Sequence, residues 1–565
     1  MRLARAVAQL MLVLAPAGFA QYLPGVNHNL TLLGRLHLYH NYANIWGYTD
    51  SRGREYALMG TESGTTIIDV TVANAPVQVD FVPGPVAPPY YWREIKTYQN
   101  FAYVVSEGIS PAQYTGIQVI DLSTLPGAVA SVSSVRWPGV NANSASAHTI
   151  SLDEAGNLYI QGGSATAGMD GSAGGVRIFS LANPAQPAPV GWYSPRYVHD
   201  ALIHKNILFN CNIFNNGWID VLDISNRSQP VLITQIIYPR GFSHSADVTA
   251  DGNYLITTDE LRGLTVKFWD IQVLWDNNPA NDGNIELVAE YIGDASQVAH
   301  NVHVRGRYAY LSHYVEGLKI LDVANPRDPA EVAYYDTYPN PGSGYAGNWG
   351  VYPYLPSGHI LVSDMQTGLY VFKFDTVYAG GVQGKVTNRS TAAALSQVSL
   401  HFVEAHKNLT TGADGEYRLR TNSGRHTLIA SKLGFVADTL AFDLPAGDVD
   451  LSFDFTLQPE NTSSVSRAET GAPLQFALRQ NRPNPFHQGT QIEYELPRPD
   501  AVEVKIYDAQ GRWINTLLAG AQAAGRHALN WDGRDHSGAL VANGIYFCRL
   551  HAGGQLLTRK LLLAR

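Results

Sequence analysis

Four short segments of this chain carry a histidine at their start ahead of a β-rich run: HTISLD from His148, HDALIHK from His199, HSADVTA from His244 and HNVHVRG from His300. Neutral imidazoles ligate divalent metals and, near neutral pH, work as general acids and bases. Two of the four have an acid close behind them, His199-Asp200 and His244-Ser245-Ala246-Asp247. A second set of acids closes other β-rich runs: Glu62, Glu107, Asp259 with Glu260, and Asp364. If a histidine-led strand and an acid-ended strand are antiparallel neighbours, the start of one and the end of the next share an edge. Imidazoles and carboxylates would then crowd one rim, suited to a divalent metal, a small ligand, or hydrolase or lyase chemistry. A paired-carboxylate glycosidase is a special case, requiring carboxyls about 5–5.5 Å or about 6.5–9.5 Å apart. The structural alternative is that these polar groups hydrogen-bond between neighbouring sheets and satisfy buried backbone. No HExxH, GxSxG or phosphate-binding loop supports a named reaction. Sequence alone leaves both readings open.

The elements that would position these residues are repeated. Gly317 to Tyr335, GLKILDVANPRDPAEVAYY, reads as strand, turn, strand, with alternating apolar residues, Asp322, and an Asn325-Pro326 break. The pattern recurs from Gly64, Gly116, Gly175 and Gly217, degenerately from Gly263, and cut short from Gly368, at intervals of 52, 59, 42, 46, 54 and 51 residues. Repeats of that length built from short strands indicate a propeller or solenoid. Each repeat has four strand signals, and in the sixth they are 300–304, 307–314, 317–323 and 330–338. The last repeat lacks its fourth strand, and LTLLGRLHLY (30–39) offers the missing one. The expected fold is all-β: a seven-bladed β-propeller closed by an N-terminal strand, which removes an open sheet edge. A solenoid would need atypical capping repeats, and none is evident. The aspartates before the turns, Asp69, Asp121, Asp223 and Asp322, read as turn-stabilising groups, and Cys211 reads as a buried thiol.

These repeats, with NIWGYTD (44–50), WREIKTY (92–98), HDA (199–201), HSAD (244–247), TDE (258–260) and AHNVHV (299–304), resemble the LVIVD-repeat proteins and, more narrowly, the choice-of-anchor B family over roughly residues 25–375. The resemblance implies an exported bacterial propeller attached to the envelope by variable C-terminal devices, and no established reaction. Family members usually carry an acid where this chain has Asn44 and Glu94, so Asn44 departs from the pattern.

Residues 380–459 show a strand order with an Asp414-Gly415 turn that suggests a small β-sandwich, and they resemble the carboxypeptidase regulatory-like domain. Residues 460–473 are polar and rich in Ser and Thr, and read as a linker. Residues 474–565 resemble the type A C-terminal sorting domain of the type IX secretion system, an immunoglobulin-like module. The resemblance rests on Asn484-Pro485-Phe486, Trp531-Asp532-Gly533, Gly544, Tyr546 and Arg559-Lys560. It implies that the type IX machinery is a partner.

Residues 1–20 have arginines at 2 and 5, an apolar middle and small residues before a cut site, the pattern of a secretory signal peptide. No later run is long and apolar enough to span a membrane. The formal net charge of −9, without a Lys/Arg cluster, argues against nucleic acid as a partner. Two cysteines, Cys211 and Cys548, cannot form a disulfide framework, so the cores must come from burial. The expectation is a secreted or outer-surface protein that binds an extracellular polymer or protein. A metal-dependent hydrolase or lyase, or a structural, adhesive component of an extracellular layer, are the alternatives.

Overall fold

The computed structural model describes residues 27–563 apart from 86–91, 108–115, 136–145, 163–173, 215–216, 294–296, 339, 341–343, 404–406, 448, 460–474, 487–488, 509–511 and 536–539. The signal-peptide reading of 1–20 and the linker reading of 460–473 therefore lie outside the described residues. The chain divides into two compact units, Met1–Ala379 and Gly380–Arg565.

The first unit is a propeller-like set of antiparallel sheets, four-stranded except that Asn27–His28 adds a fifth strand to the one beginning at Val302–Arg305. Its repeating plan is clear in Asp200–His204, Ile207–Cys211, Ile219–Asp223 and Val231–Ile236, which pair in chain order. The same plan begins at Tyr42–Thr49, Arg93–Tyr98, Thr149–Leu152, Ser243–Val248 and Val302–Arg305. In the sheet that begins with Asn348–Tyr352, the outer strand is Leu30–Leu36, which pairs antiparallel with Gly368–Phe374. The first strands neighbour one another in chain order, and Asn348–Tyr352 packs beside Tyr42–Thr49. Among the described residues the only helix is the short 3-10 turn Gln272–Trp275, and no helix is long and apolar enough to cross a membrane.

Burial follows strand position. Glu55–Thr61 is buried at every residue, whereas the outer strand Ser131–Val135 is almost wholly exposed. Third and fourth strands share a register shift at equivalent places, Ile67/Ile68, Ile178/Phe179, Val221/Leu222, Phe268/Trp269 and Ile320/Leu321. Such bulges bend a strand and increase its twist. The repeat's leading glycine has a steric cause: Gly317 has φ +74°, and a Cβ there would stand 2.1 Å from the Tyr335 carbonyl oxygen. The repeated aspartates make the expected turns, each accepting the N–H two residues on: Asp69 from Thr71, Asp121 from Ser123, Asp223 from Ser225 and Asp322 from Ala324.

The second unit is also β-structure. Ala379–Asn388 and Glu416–Asn422 form one sheet with the short strands Asp450–Ser452 and Phe455–Leu457, and Ser399–Phe402, Lys407–Thr410, Gly424–Ser431 and Asp438–Leu444 form another. The two sheets share a core of Val382, Leu400, Leu428, Phe442 and Phe455. Farther on, Thr490–Leu496 pairs with Ala477–Leu478 and Gly525–Trp531, and Asp500–Asp508 lies between Trp513–Gln522 and Gly544–Ala552, with Gln555–Leu563 at the edge.

Candidate functional site

The four histidines come together because each occupies the same place in successive sheets. The backbone N–H of His148, His199 and His300 donates to the carbonyl of Gln161, Cys211 and Ser312 on the second strand, which fixes where each ring leaves the sheet. The rings stand in a row, with centroids 4.0 Å apart for His148–His199 and 4.3 Å for both His199–His244 and His244–His300. Trp349 and Tyr314 close the row at 4.6 and 4.7 Å from His300. His199, His244 and His300 are buried.

Each end of the row carries a carboxylate from the end of a second strand or the loop that follows. Glu107 Oε1 lies 2.8 Å from His148 Nδ1. Glu260 Oε2 lies 3.7 Å from His244 Nε2, and its Oε1 lies 3.9 Å from His300 Nε2 while accepting from the Tyr314 hydroxyl at 2.5 Å. One ligand atom each from His199, His244 and Glu260 fall within 4.8 Å of one another. The inner nitrogens are committed to the scaffold: His244 Nδ1 donates to the His300 carbonyl at 3.1 Å, and His300 Nδ1 donates to the Trp349 carbonyl at 2.6 Å. The sheet-to-sheet bonding expected of inner-strand polar groups thus occupies one nitrogen of His244 and of His300 and leaves the other to the site.

Protonation differs along the row. Burial, with the neighbouring imidazoles, lowers His199 well below the usual histidine range and takes His244 and His300 down to about 3. Burial pulls His148 down most strongly, but the adjoining Glu107 carboxylate together with Glu94 and Glu260 outweighs it and leaves that ring raised. The array therefore holds neutral, metal-competent imidazoles beside one that is easily protonated.

A cavity with space for a water-sized occupant, about 20 Å³, is lined by His148, His244 and His300 of the row together with Glu94, Lys96, Asp200, His303 and Trp349. Burial raises Glu94 and lowers Lys96, each opposed by the charge of the other. The Lys96 ammonium also sits 3.4 Å from the Trp46 ring centre. Burial raises Asp200, and raises Asp247 to about 6 against hydrogen bonds from the Val304 and Val248 N–H groups. Lys96, His303, Trp349 and Tyr314 are site residues that motif spacing does not reveal. The alternation in WREIKTY does carry a signal, since Glu94 and Lys96 fall two apart on one strand face.

The remaining carboxylates do not reach the histidines. Glu62 accepts the N–H groups of His40 and Asn41. Asp259 is fully buried in an ion pair with Lys267 at 2.6 Å and accepts from the Tyr238 hydroxyl and the Phe242 N–H. Asp364 accepts from the Thr337 hydroxyl and the N–H groups of Gln366 and Thr367. Strand-end position brings these acids to the correct edge, but other groups claim their oxygens: the His40-Asn41 backbone for Glu62, a buried lysine for Asp259 and the following turn for Asp364. Of these strand-end acids, Glu107 and Glu260 meet the row.

Comparisons with known proteins divide the chain along the same lines. Residues 213–236 and 296–337 match the LVIVD repeat, residues 381–458 the carboxypeptidase regulatory-like domain, and residues 481–555 the FlgD Ig-like domain. The basal-body rod modification proteins FlgD of Salmonella typhimurium and Salmonella typhi are each 38% identical over 79 residues, 13% of this chain and 34% of theirs. The chain thus spans about a third of the length of the curated relatives it matches. Among solved structures, the β-propeller domain of Myceliophthora thermophila Cps50 (Swd1) aligns with TM-score 0.41 and 11% identity, over 61% of this chain and 99% of that one. PorZ of Porphyromonas gingivalis, a bacterial surface component of the type IX secretion system, aligns with TM-score 0.38 and 11% identity, over 93% of this chain and 60% of that one.

Within the FlgD Ig-like segment the sequence signature has two parts. Phe486, Trp531 and Tyr546 are buried core, with ring centroids 5.4 Å apart for Phe486–Trp531 and 5.2 Å for Trp531–Tyr546. Asn484 holds the last strand, accepting from the Leu562 N–H at 2.7 Å and donating to the Lys560 carbonyl at 3.3 Å. Asp532 accepts the Arg534 N–H across a turn in which Gly533 has φ +71°. Arg559 and Lys560 are exposed along that last strand.

Proposed function

We propose that this chain is an exported, cell-surface β-propeller of the choice-of-anchor B kind, acting as a binding or scaffold module for an extracellular polymer or protein. In this reading residues 21–375 form seven blades, and the ring is closed by Leu30–Leu36 added to the final sheet. Residues 380–459 are an accessory sandwich, and residues 474–565 direct passage through the type IX secretion system. The pairing of Leu30–Leu36 with Gly368–Phe374 supports the closure, and the exposed Arg559 and Lys560 beside a well-packed core support a recognition role for the last strand.

The observation that carries the binding role is the aromatic flank of the histidine row. Phe214 is 54% exposed and packs on Tyr197 at 5.0 Å, which in turn lies 6.4 Å from His199. Tyr345 is 52% exposed and packs on Tyr314 at 5.5 Å, which touches His300. Exposed rings set beside carboxylates and imidazoles suit the apolar faces and hydroxyl or amide edges of a sugar polymer or an extended peptide. The test is binding of the full chain to glycan and envelope-protein panels, with Phe214→Ala and Tyr345→Ala alongside. Retention by the parent and loss in the variants supports the reading. A parent that engages nothing while turning over a small substrate overturns it.

The donor set of His199, His244 and Glu260 supports a second reading, a metal-dependent hydrolase or lyase. Turnover that disappears in chelator and returns with added metal would favour it over the binding role.

A further inference from the structure

We infer that His199, His244 and Glu260 form a binding site for one divalent transition-metal ion, with His300 flanking it. The inference stands on donor geometry and holds whether the face binds a polymer or catalyses a reaction.

The first step is the tautomer. A carbonyl oxygen only accepts, so the Nδ1 atoms of His244 and His300 must carry the hydrogens they give to the His300 and Trp349 carbonyls. In neutral rings the Nε2 atoms are then bare lone pairs. Both face the Glu260 carboxylate, at 3.7 and 3.9 Å. These separations exceed a hydrogen bond, and lone pairs facing an anion repel. Something carrying positive charge belongs between them. Among the described residues the ion-pair partners of Glu260 are these two imidazoles alone, so no lysine or arginine supplies that charge.

The second step is size. Metal–nitrogen and metal–oxygen bonds of about 2.0–2.2 Å place donors about 3.4 Å apart along a tetrahedral edge and about 4.2 Å apart across an ion. The two Glu260 contacts fall inside that window. The His199, His244 and Glu260 atoms, all within 4.8 Å of one another, need at most about 0.6 Å of ring adjustment to reach the spacing across an ion and about 1.4 Å to reach a tetrahedral edge. Imidazole with one carboxylate is a set that suits zinc, iron, cobalt or nickel and not calcium or magnesium, which prefer oxygen. The backbone bonds at Nδ1 are the outer contacts that orient metal-binding histidines, and the Tyr314 hydroxyl on Glu260 Oε1 does the same for the carboxylate.

The test uses the full chain, stripped with chelator, and titrated with zinc by calorimetry and with cobalt by visible absorption. One equivalent of zinc and a ligand-field band of imidazole-bound cobalt are expected. Glu260→Gln, a change at a partly exposed side chain that leaves the sheets intact, should weaken zinc by about 10-fold or more, and His199→Asn should shift or abolish the cobalt band. Glu62→Gln, outside the cluster, should bind as the parent does. A folded parent that takes up no stoichiometric metal overturns the inference, with a water molecule then bridging Glu260 and the rings. Binding that survives both cluster variants, or that Glu62→Gln weakens equally, is adventitious and overturns it too.

Discussion

The Nδ1 atom of His300 donates to the backbone carbonyl of Trp349 at 2.6 Å, so a side chain of one sheet satisfies a buried backbone group of the next. The same carbonyl also receives the Asn301 side-chain amide at 3.2 Å, and His244 repeats the arrangement one sheet earlier, onto the His300 carbonyl. One bond therefore ties neighbouring sheets, sets the ring's tautomer and turns Nε2 towards Glu260. Structural and ligand-binding roles are carried by different atoms of one residue.

A graded stability effect follows. His300→Phe keeps ring volume but loses the bond, and because Asn301 still serves the carbonyl the loss should be about 1 kcal/mol. Adding Asn301→Ala orphans the carbonyl, and the double variant should lose more than the two singles combined. Urea unfolding of the parent and three variants checks this. Additive losses would show that the two donors are independent.

The Asp259–Lys267 pair is a larger lever. Both side chains are buried, and Asp259 also holds Tyr238 and the Phe242 backbone. Lys267→Met leaves an uncompensated carboxylate and should lower stability by about 3–5 kcal/mol, while leaving zinc uptake at the histidine row unchanged wherever the variant remains folded. Replacing both, as Asp259→Asn with Lys267→Met, should recover part of the loss. A Lys267→Met chain as stable as the parent would contradict the structural role given to Asp259.

What the sequence made legible, and what it hid, divides at these acids. The repeat was readable because its causes are local. A leading glycine such as Gly317 is required by a positive φ and a carbonyl at 2.1 Å, and each aspartate before a turn is held by an N–H two residues away. The histidine row was readable because equivalent positions in repeated sheets must be neighbours. Assigning the carboxylates was not possible at that level. Glu260 and Asp259 are adjacent in sequence, yet one faces the imidazoles and the other a buried lysine, and only side-chain direction separates them. Lys96 and Glu94 gain their significance from burial against strands distant in the chain, which no spacing rule encodes.

Asp247 gives a pH signature. Burial raises its carboxyl from the usual 3.8 to about 6, with the Tyr354 hydroxyl and the Val304 and Val248 N–H groups on its oxygens and Lys96 opposing the rise. The folded state therefore binds the proton more tightly than the unfolded chain. The associated stability is complete below about pH 4 and is lost as pH rises through about 6, amounting to at most about 3 kcal/mol. Asp247→Asn, neutral at every pH, should gain on the parent across that window. Thermal midpoints of the two full-length chains between pH 4 and 8 measure it, and a constant difference would show that Asp247 does not titrate there.

If residues 474–565 direct export as proposed, their signature should separate into folding and recognition. Trp531 is 1% exposed, packs on Phe486 and Tyr546, and donates its indole N–H to the Arg534 carbonyl at 2.9 Å. Trp531→Ala removes that core and should lower stability of this segment by about 3–5 kcal/mol. Arg559 and Lys560 lie exposed on Gln555–Leu563, so Arg559→Ala with Lys560→Ala should leave the melting curve unchanged. In a host with a type IX system the same double variant should accumulate inside the outer membrane, because two exposed cations on the last strand are what a receptor could grasp. If the double variant is exported like the parent, recognition lies elsewhere on this segment. If it unfolds, the two residues belong to the fold, and the division fails.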